Sequence, residues 1–245
     1  RLYHCWKTNG HGKMNVTDAI KQSCDVFFYE ISKKLGIDKI AEVAKDFGLG
    51  QSYDISMPNQ KTGIVPNKKW KKEKIGESWY AGETLISAIG QGFVLTNPFQ
   101  LAVMTSIIAS NGKMVEPTII KGKPISFKTN EKYSKEIKII KKAMFKVVNE
   151  NKGTAFKSRL EDIKFAGKTG TSQVRRISLS ERESDDFREK EQEWKNRDHA
   201  LFVGYMPYDD PKYSISVIIE HGGSGASTAA PIAKQIFNYI NELEV

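Results

Sequence analysis

Apolar residues recur every three or four positions in several stretches of the chain, which is the spacing of amphipathic helices. With start and stop residues at their ends, these stretches predict helices that begin at Asp38, Asn97, Ser134 and Ala230. In the last helix the spacing places one apolar face inward, made of Ile232, Ile236, Tyr239, Ile240 and Leu243.

Short β-rich segments are concentrated in the second half of the chain. They cover residues 165–173, 200–206 and 213–220, and a Pro-containing turn separates the last two. Helices followed by three strands and a final helix predict an α+β fold with an antiparallel sheet. In the segment 174–198, 15 of 25 residues are charged, so we expect an insertion between two strands that forms a surface excursion or a small helix.

The composition is that of a folded protein with a sizeable core. Of 245 residues, 39% are hydrophobic, and no apolar run approaches the roughly 18 residues that a membrane helix needs. The net charge is +9, but the basic residues are scattered, which is typical of a solvated surface. No nucleic-acid-binding motif is present, and we expect no nucleic-acid partner.

The sharpest local signal is Lys168-Thr169-Gly170-Thr171, which lies on a predicted strand. A lysine supplies positive charge, the two threonines supply hydroxyl donors, and glycine lets a substrate backbone approach closely. A backbone N–H in this position could also face a developing oxyanion. The pattern therefore indicates a site for a carboxylate-bearing substrate.

A second signal is Ser23-Cys24-Asp25, in which Ser23 and Asp25 could point into one cleft if the segment forms a turn. Periodicity alone favours a different interpretation. Apolar residues continue through this segment at helical spacing, which predicts one uninterrupted helix with Cys24 in the core and Ser23 on the surface. The residues with this spacing are Ile20, Cys24, Phe27, Ile31 and Leu35.

Together, the two motifs resemble those of the penicillin-recognising serine transpeptidases, which include the penicillin-binding proteins and the serine β-lactamases. Ser-x-Asp at Ser23 precedes Lys-Thr-Gly at Lys168 by 145 residues. Over nearly all its length the chain is similar to the penicillin-binding protein 2 group, the elongation-type class B D,D-transpeptidases. Further stretches that carry this resemblance are Gly10-His11-Gly12, Phe47-Gly48-Leu49-Gly50, Trp79-Tyr80-Ala81-Gly82-Glu83-Thr84, Ile89-Gly90-Gln91-Gly92 and His199-Ala200-Leu201-Phe202-Val203-Gly204.

The resemblance implies a transpeptidase domain built on a five-stranded antiparallel sheet with helices on both faces. Residues 1–245 form only part of this domain. The family nucleophile, a Ser-x-x-Lys at a helix start upstream of Ser-x-Asp, has no match here. The one Ser-x-x-Lys begins at Ser110, after Ser23 and in a helix-ending Asn-Gly turn, and we reject it. We expect the nucleophile, two strands and a membrane anchor before Arg1, and no acylation by the 245 residues alone.

The resemblance also implies a role for each matching residue. Ser23 is expected to relay a proton to the leaving nitrogen, and Asp25 to hold the hydrogen-bond network and the substrate. Lys168, with Thr169 and Thr171, is expected to bind the substrate carboxylate beside Gly170. The N–H of Thr171 is the candidate oxyanion donor.

The implied reaction cross-links peptidoglycan stem peptides ending in D-Ala-D-Ala, through a serine acyl-enzyme, during cell-wall elongation. β-Lactams are expected to inhibit it as substrate mimics. The implied location is the periplasmic side of the bacterial inner membrane, with a membrane glycan polymerase as partner. The alternatives are a non-catalytic wall-binding module and a β-lactamase.

Cys5, His11 and Cys24 are candidate zinc ligands, because two sulfurs and an imidazole suit this ion. Their spacing matches no zinc-finger pattern, so a Cys5–Cys24 disulfide, a core Cys24 and a His11 in a glycine-flanked turn remain open. Some elongation-type members carry a zinc site of two Asp, one His and one Cys beside Ser-x-Asp. His11 and Cys24 match its His and Cys, Cys5 stands where one Asp would be, and the fourth ligand is expected before Arg1.

Overall fold

The computed structural model describes residues 3–55, 57–121, 127–129, 131–175 and 193–244. Most of the charged segment 174–198, predicted as a surface insertion, therefore lies outside the described residues. The helices and strands are α1 Val16–Gln22, α2 Asp25–Leu35, α3 Ile37–Asp46, α4 Lys68–Ile75, α5 Ala81–Ser87, α6 Pro98–Ala109, β1 Lys113–Val115, β2 Phe127–Thr129, α7 Ser134–Asn149, β3 Ala166–Ser172, β4 His199–Met206, β5 Tyr213–Ile219 and α8 Ala230–Glu244.

The main sheet is antiparallel and has the strand order β3-β4-β5 among the described strands. Lys168 lies opposite Val203, and Phe202 lies opposite Val217. All three strands begin and end within one residue of their predicted bounds, and the α+β class is confirmed. β1 and β2 form a separate two-stranded sheet that the sequence pattern did not predict.

Both faces of the sheet are buried, because alternate residues of β4 enter two different clusters. Ala200, Phe202 and Met206 pack with α8 and its flanking turn, whereas Tyr205 packs with residues of α6 and α7. The sheet is thus the middle of three layers, and β3 has packed helices close to its backbone. The strand that carries Lys168 therefore packs directly against α7.

The helix that begins at Asn97-Pro98 forms as its cap residues predict. The Asn97 side chain accepts a hydrogen bond from the backbone N–H of Gln100 at 2.9 Å, and Pro98 occupies the first helical position, where no N–H is needed. α3 begins at Ile37, one residue before the predicted start, and α7 begins at Ser134 as predicted. Among the described helices, none has the length and apolar character needed to cross a bilayer.

The predicted inward face of α8 is wrong for three of its five residues. Ile236, Tyr239 and Leu243 are 40%, 61% and 68% exposed, whereas Ala233 and Phe237 are fully buried. The two faces have the same helical spacing, so periodicity alone does not separate them. The small side chain of Ala233 allows a close approach to the sheet, and Phe237 then fills the core.

Phe237→Ala therefore tests the corrected face of α8. We expect it to lower the free energy of unfolding by about 3–5 kcal/mol, because it removes a fully buried ring and leaves a cavity. Tyr239→Ala, on the opposite face, is the matched control and should change this free energy by less than about 0.5 kcal/mol. Urea denaturation followed by circular dichroism measures both, and equal losses would contradict the assignment.

Candidate active site

The helix predicted through residues 20–35 is interrupted at Ser23. α1 ends at Gln22, Ser23 adopts the left-handed conformation with φ 55° and ψ 54°, and α2 starts at Asp25. The N–H of Cys24 donates to the carbonyl of Ala19 at 2.9 Å, which closes the end of α1. A serine in this conformation carries strain of about 1–2 kcal/mol, a feature that concentrates at functional sites. The interpretation as one uninterrupted helix is therefore wrong.

Trp6 holds the two sides of this break together. Its backbone N–H donates to the carboxylate of Asp25 at 3.0 Å, and its indole N–H donates to the carbonyl of Ser23 at 2.8 Å. Asp25 is the first residue of α2, where the positive end of the helix dipole also favours a carboxylate. Ser23 and Asp25 are thus fixed on either side of Cys24, which is buried.

Lys168 reaches from β3 to the α1–α2 break. Its ammonium donates to the hydroxyl oxygen of Ser23 at 2.8 Å and to the carbonyl oxygen of Thr169 at 2.7 Å. The two sequence motifs, 145 residues apart, therefore meet through one direct hydrogen bond. Because Ser23 Oγ accepts from the ammonium, the hydroxyl proton is available for a different acceptor.

The surroundings make Lys168 an unusually acidic lysine. Burial of the ammonium away from water lowers the pKa of Lys168 to about 8, and the negative charge of Asp25 acts in the opposite direction. The side chain is therefore largely cationic at neutral pH, yet close to its titration midpoint. Such a group can both donate a hydrogen bond to Ser23 and exchange a proton.

Thr169 packs against the loop that follows α7. It is only 9% exposed, and its hydroxyl oxygen lies 2.7 Å from that of Thr154 in the loop after α7. Because successive side chains of a strand point to opposite faces, Thr169 cannot accompany Lys168 toward Ser23. Thr169 links β3 to the neighbouring loop in this structure, and its contact with substrate stays a prediction.

Gly170 and Thr171 lie farther along β3, where the strand meets the loop at 222–225. A side chain on Gly170 would contact Leu201 of β4 at 3.2 Å, so close strand packing already favours glycine. Thr171 is exposed, and its hydroxyl accepts a hydrogen bond from the N–H of Gly225 at 3.4 Å. Gln91 Nε2 donates to the carbonyl oxygen of Thr171 at 2.9 Å from the other side.

Cys5, His11 and Cys24 come together behind Ser23, with their ligand atoms all within 4.8 Å of one another. Cys5 Sγ lies 3.3 Å from His11 Nδ1, and the two cysteines are free thiols. Burial raises the pKa of the Cys24 thiol and lowers the pKa of the His11 imidazole. The other ring nitrogen of His11, Nε2, is buried and meets the geometric criteria for a hydrogen bond with none of the described residues. A cavity of about 440 Å³ adjoins the cluster. These donors suit a soft tetrahedral cation.

Three residues of the site received no functional role from the sequence: Trp6, Gln91 and Thr154. Trp6 carried a weak signal, because it follows Cys5, but an isolated tryptophan is usually part of a core or a wall. Gln91 lies between two glycines, which indicated only close backbone packing. Ser110, rejected as nucleophile, lies at the end of α6, where its hydroxyl donates to the carbonyl of Ser106 at 2.8 Å.

Comparison with known proteins identifies the fold. The family model of the penicillin binding protein transpeptidase domain matches residues 1–238. The chain is 33% identical, over 98% of its length, to the peptidoglycan D,D-transpeptidase MrdA of Haemophilus influenzae, and 35% identical, over 96%, to MrdA of Acinetobacter baumannii. The chain belongs to the family of penicillin-binding protein transpeptidase domains. It spans 38% and 35% of the lengths of these two relatives.

Solved structures of penicillin-binding proteins have the same fold as the chain. The complex between PBP2 and MreC from Helicobacter pylori gives a TM-score of 0.86 at 33% identity, over 98% of the chain and 42% of that structure's chain. Pseudomonas aeruginosa PBP2 in complex with WCK 5153 gives 0.79 at 32% identity, over 96% and 49%. The penicillin-binding-protein fold expected from the sequence motifs is therefore confirmed.

In this penicillin-binding protein domain, the environment of Lys168 is testable by titration. Nuclear magnetic resonance of ¹³C-labelled lysine should give a midpoint near pH 8 for Lys168. Asp25→Asn should move the midpoint to lower pH, because it removes a negative charge that favours the ammonium. Asp18→Asn, on α1, is the matched control and should leave it unchanged. A wild-type midpoint above about 10, as in a solvated lysine, would contradict the buried position.

Proposed function

We propose that the whole protein is a peptidoglycan D,D-transpeptidase that cross-links stem peptides ending in D-Ala-D-Ala during cell-wall elongation. The observation that carries this proposal is the 2.8 Å hydrogen bond between Lys168 Nζ and Ser23 Oγ. It unites a cationic group, a hydroxyl and an edge strand in one place, which are the parts that acyl transfer to a carboxylate-bearing peptide requires.

In the first step, a serine nucleophile gives its proton to the lysine of its own Ser-x-x-Lys and attacks the carbonyl of the penultimate D-Ala. The bond to the terminal D-Ala nitrogen then breaks. We place this nucleophile in a Ser-x-x-Lys that precedes residue 1 in the whole protein. Lys168 attracts the terminal carboxylate and holds Ser23 by its oxygen. Ser23 then gives its own proton to the departing nitrogen and recovers one from Lys168.

The β3 edge supplies the remaining interactions. The N–H of Thr171 faces the carbonyl oxygen as it gains negative charge, and such a donor contributes about 10²–10³ in rate. An amine from a second stem peptide next attacks the acyl-enzyme, which releases the serine and closes the cross-link. A β-lactam enters the same site as a substrate mimic and leaves a slowly hydrolysed acyl group.

The proposed location is the periplasmic side of the bacterial inner membrane, and the proposed partner is a membrane glycan polymerase. Two of the similar structures support the proposed partner, because both are protein complexes. One is a complex of PBP2 with MreC, and another, at 29% identity, bears on the coordination of polymerization and crosslinking by a peptidoglycan synthase complex.

We also propose that Cys5, His11 and Cys24 hold a zinc ion. The support is the cluster of ligand atoms within 4.8 Å of one another and the buried Nε2 of His11, which has no hydrogen-bond partner within the described part of the chain. When bound, zinc would supply a structural crosslink between the segment before α1 and the α1–α2 break. Three protein ligands leave one tetrahedral position for a further ligand. As a zinc ligand, Cys24 would hold the backbone at the α1–α2 break and so fix the positions of its neighbours Ser23 and Asp25.

The transpeptidase proposal predicts covalent capture of penicillin by the whole protein. Intact-mass spectrometry after incubation with benzylpenicillin should show one adduct, which is absent when the Ser-x-x-Lys serine is changed to alanine. Lys168→Ala should slow adduct formation by about 10²-fold or more, because it removes the positive charge and the donor to Ser23. Lys157→Ala, at an exposed lysine, should leave the rate unchanged.

Two outcomes would contradict this proposal. A folded whole protein that forms no adduct would favour a non-catalytic wall-binding module. Rapid release of hydrolysed penicillin, with many turnovers for each protein molecule, would favour a β-lactamase.

The zinc proposal predicts about one zinc per protein molecule after removal of loosely bound metal, measured by plasma mass spectrometry. His11→Ala and Cys24→Ser should each weaken zinc binding by about tenfold or more, because a ligand matters at least as much as the residues that support it. His4→Ala, at the exposed histidine beside Cys5, is the matched control. A metal-free protein with a Cys5–Cys24 disulfide, detected as the loss of two hydrogens in the intact mass, would overturn the proposal.

A further inference from the structure

The outer edge of β3 is occupied by the side chain of Gln91. Its Nε2 donates to the carbonyl oxygen of Thr171 at 2.9 Å, and its Oε1 accepts from the backbone N–H of Gln173 at 3.3 Å. β3 pairs with β4 on its other side and has no second partner strand among the described residues. One side-chain amide therefore takes two backbone positions of an edge strand.

The pattern of these two bonds is that of a neighbouring strand. In an extended chain, residues two apart present their backbone groups to the same side, so Thr171 and Gln173 both face away from β4. A donor to one carbonyl and an acceptor for the N–H two residues later are what one residue of a parallel strand provides. The carboxamide of Gln91 thus takes the place of one residue of a neighbouring strand.

The loop that carries Gln91 has little freedom. Gly90 and Gly92 have φ values of 75° and 72°, and a side chain on Gly92 would meet Ile86 at 3.0 Å. The N–H of Gln91 donates to the carbonyl of Ile86 at 3.1 Å, which ties the loop to the end of α5. Gln91 is therefore presented to β3 by a fixed turn, and its side chain is the part that can move.

We propose that Gln91 is a displaceable surrogate for the substrate backbone at Thr171. An extended peptide that adds to this edge would donate its own N–H to the Thr171 carbonyl, in the position that Gln91 Nε2 now holds. The N–H of Thr171 points to the same side of β3 as the Thr171 carbonyl. The inference rests on the transpeptidase function proposed above.

Because a ligand must displace Gln91 to reach the Thr171 carbonyl, the effect of Gln91 on binding depends on whether the ligand carries an amide N–H. A ligand with such a group exchanges one hydrogen bond for another when it displaces Gln91, whereas removal of Gln91 leaves the Thr171 carbonyl open. The net value of such a bond corresponds to a factor of about two to ten. A ligand without an amide N–H does not use this carbonyl and is insensitive to the change.

The test compares Gln91→Ala with the wild-type whole protein, by rates of acylation measured by intact mass at limiting ligand. Benzylpenicillin carries an acylamino N–H, and imipenem, whose side chain is hydroxyethyl, does not. We expect Gln91→Ala to raise the benzylpenicillin rate about two- to tenfold and to leave the imipenem rate unchanged. Gln91→Glu, which loses the donor but keeps the acceptor for Gln173, should shift the ratio of the two rates in the same direction.

Gln235→Ala, at an exposed glutamine of α8, is the matched control and should change neither rate. Equal slowing of both ligands by Gln91→Ala would mean that Gln91 only supports β3, and an unchanged ratio would mean that it does not compete. Either result overturns the inference alone. Failure of the wild-type protein to form an adduct with either ligand would overturn the proposed function and the inference with it.

Discussion

The site depends on the hydrogen bond between Lys168 and Ser23, which requires α1 and β3 to lie in a fixed relation. The loop after α7 provides that relation. The N–H of Thr154 donates to the carbonyl of Lys21 at the end of α1, while its hydroxyl meets that of Thr169 on β3. Asn149, at the end of α7, donates to the carbonyl of Phe165 at 2.8 Å, just before β3. One short loop therefore sets the distance between the two motifs.

Lys71, which is buried, and Lys168, which is half-buried, show how partners decide the role of a charge. Burial also opposes the charge on Lys71, which is 1% exposed, but hydrogen bonds with Glu83 and Glu77 raise its pKa. Lys168 has no carboxylate within ion-pair distance among its described contacts, and its pKa falls to about 8. Lys71 is therefore a permanently charged structural group, whereas Lys168 keeps the capacity to exchange a proton.

The strands and the capped helices were predictable, because their signals lie within a few residues of sequence. Asn97-Pro98 marks a helix start, and the short β-rich segments mark strands. The break at Ser23 was not predictable from periodicity, because Ile20, Cys24 and Phe27 keep helical spacing across it. The contact between Thr169 and Thr154 depends on which face of β3 meets the α7 loop, a tertiary relation that no local pattern records. The motifs identified the chemistry, and packing decided which side chains could take part.

An edge strand that binds substrate has conflicting requirements. It must stay open for a peptide, yet an open edge also attracts other chains. A covering strand would block the site, and bulky side chains on the edge would keep the substrate backbone away. A single side-chain amide satisfies both requirements. It bonds to the Thr171 carbonyl and the Gln173 N–H when no peptide is bound, and it can move away by rotation about its own side-chain bonds. Exchange of that amide for a peptide N–H conserves the number of hydrogen bonds, so the edge can be covered and still open at little cost in free energy.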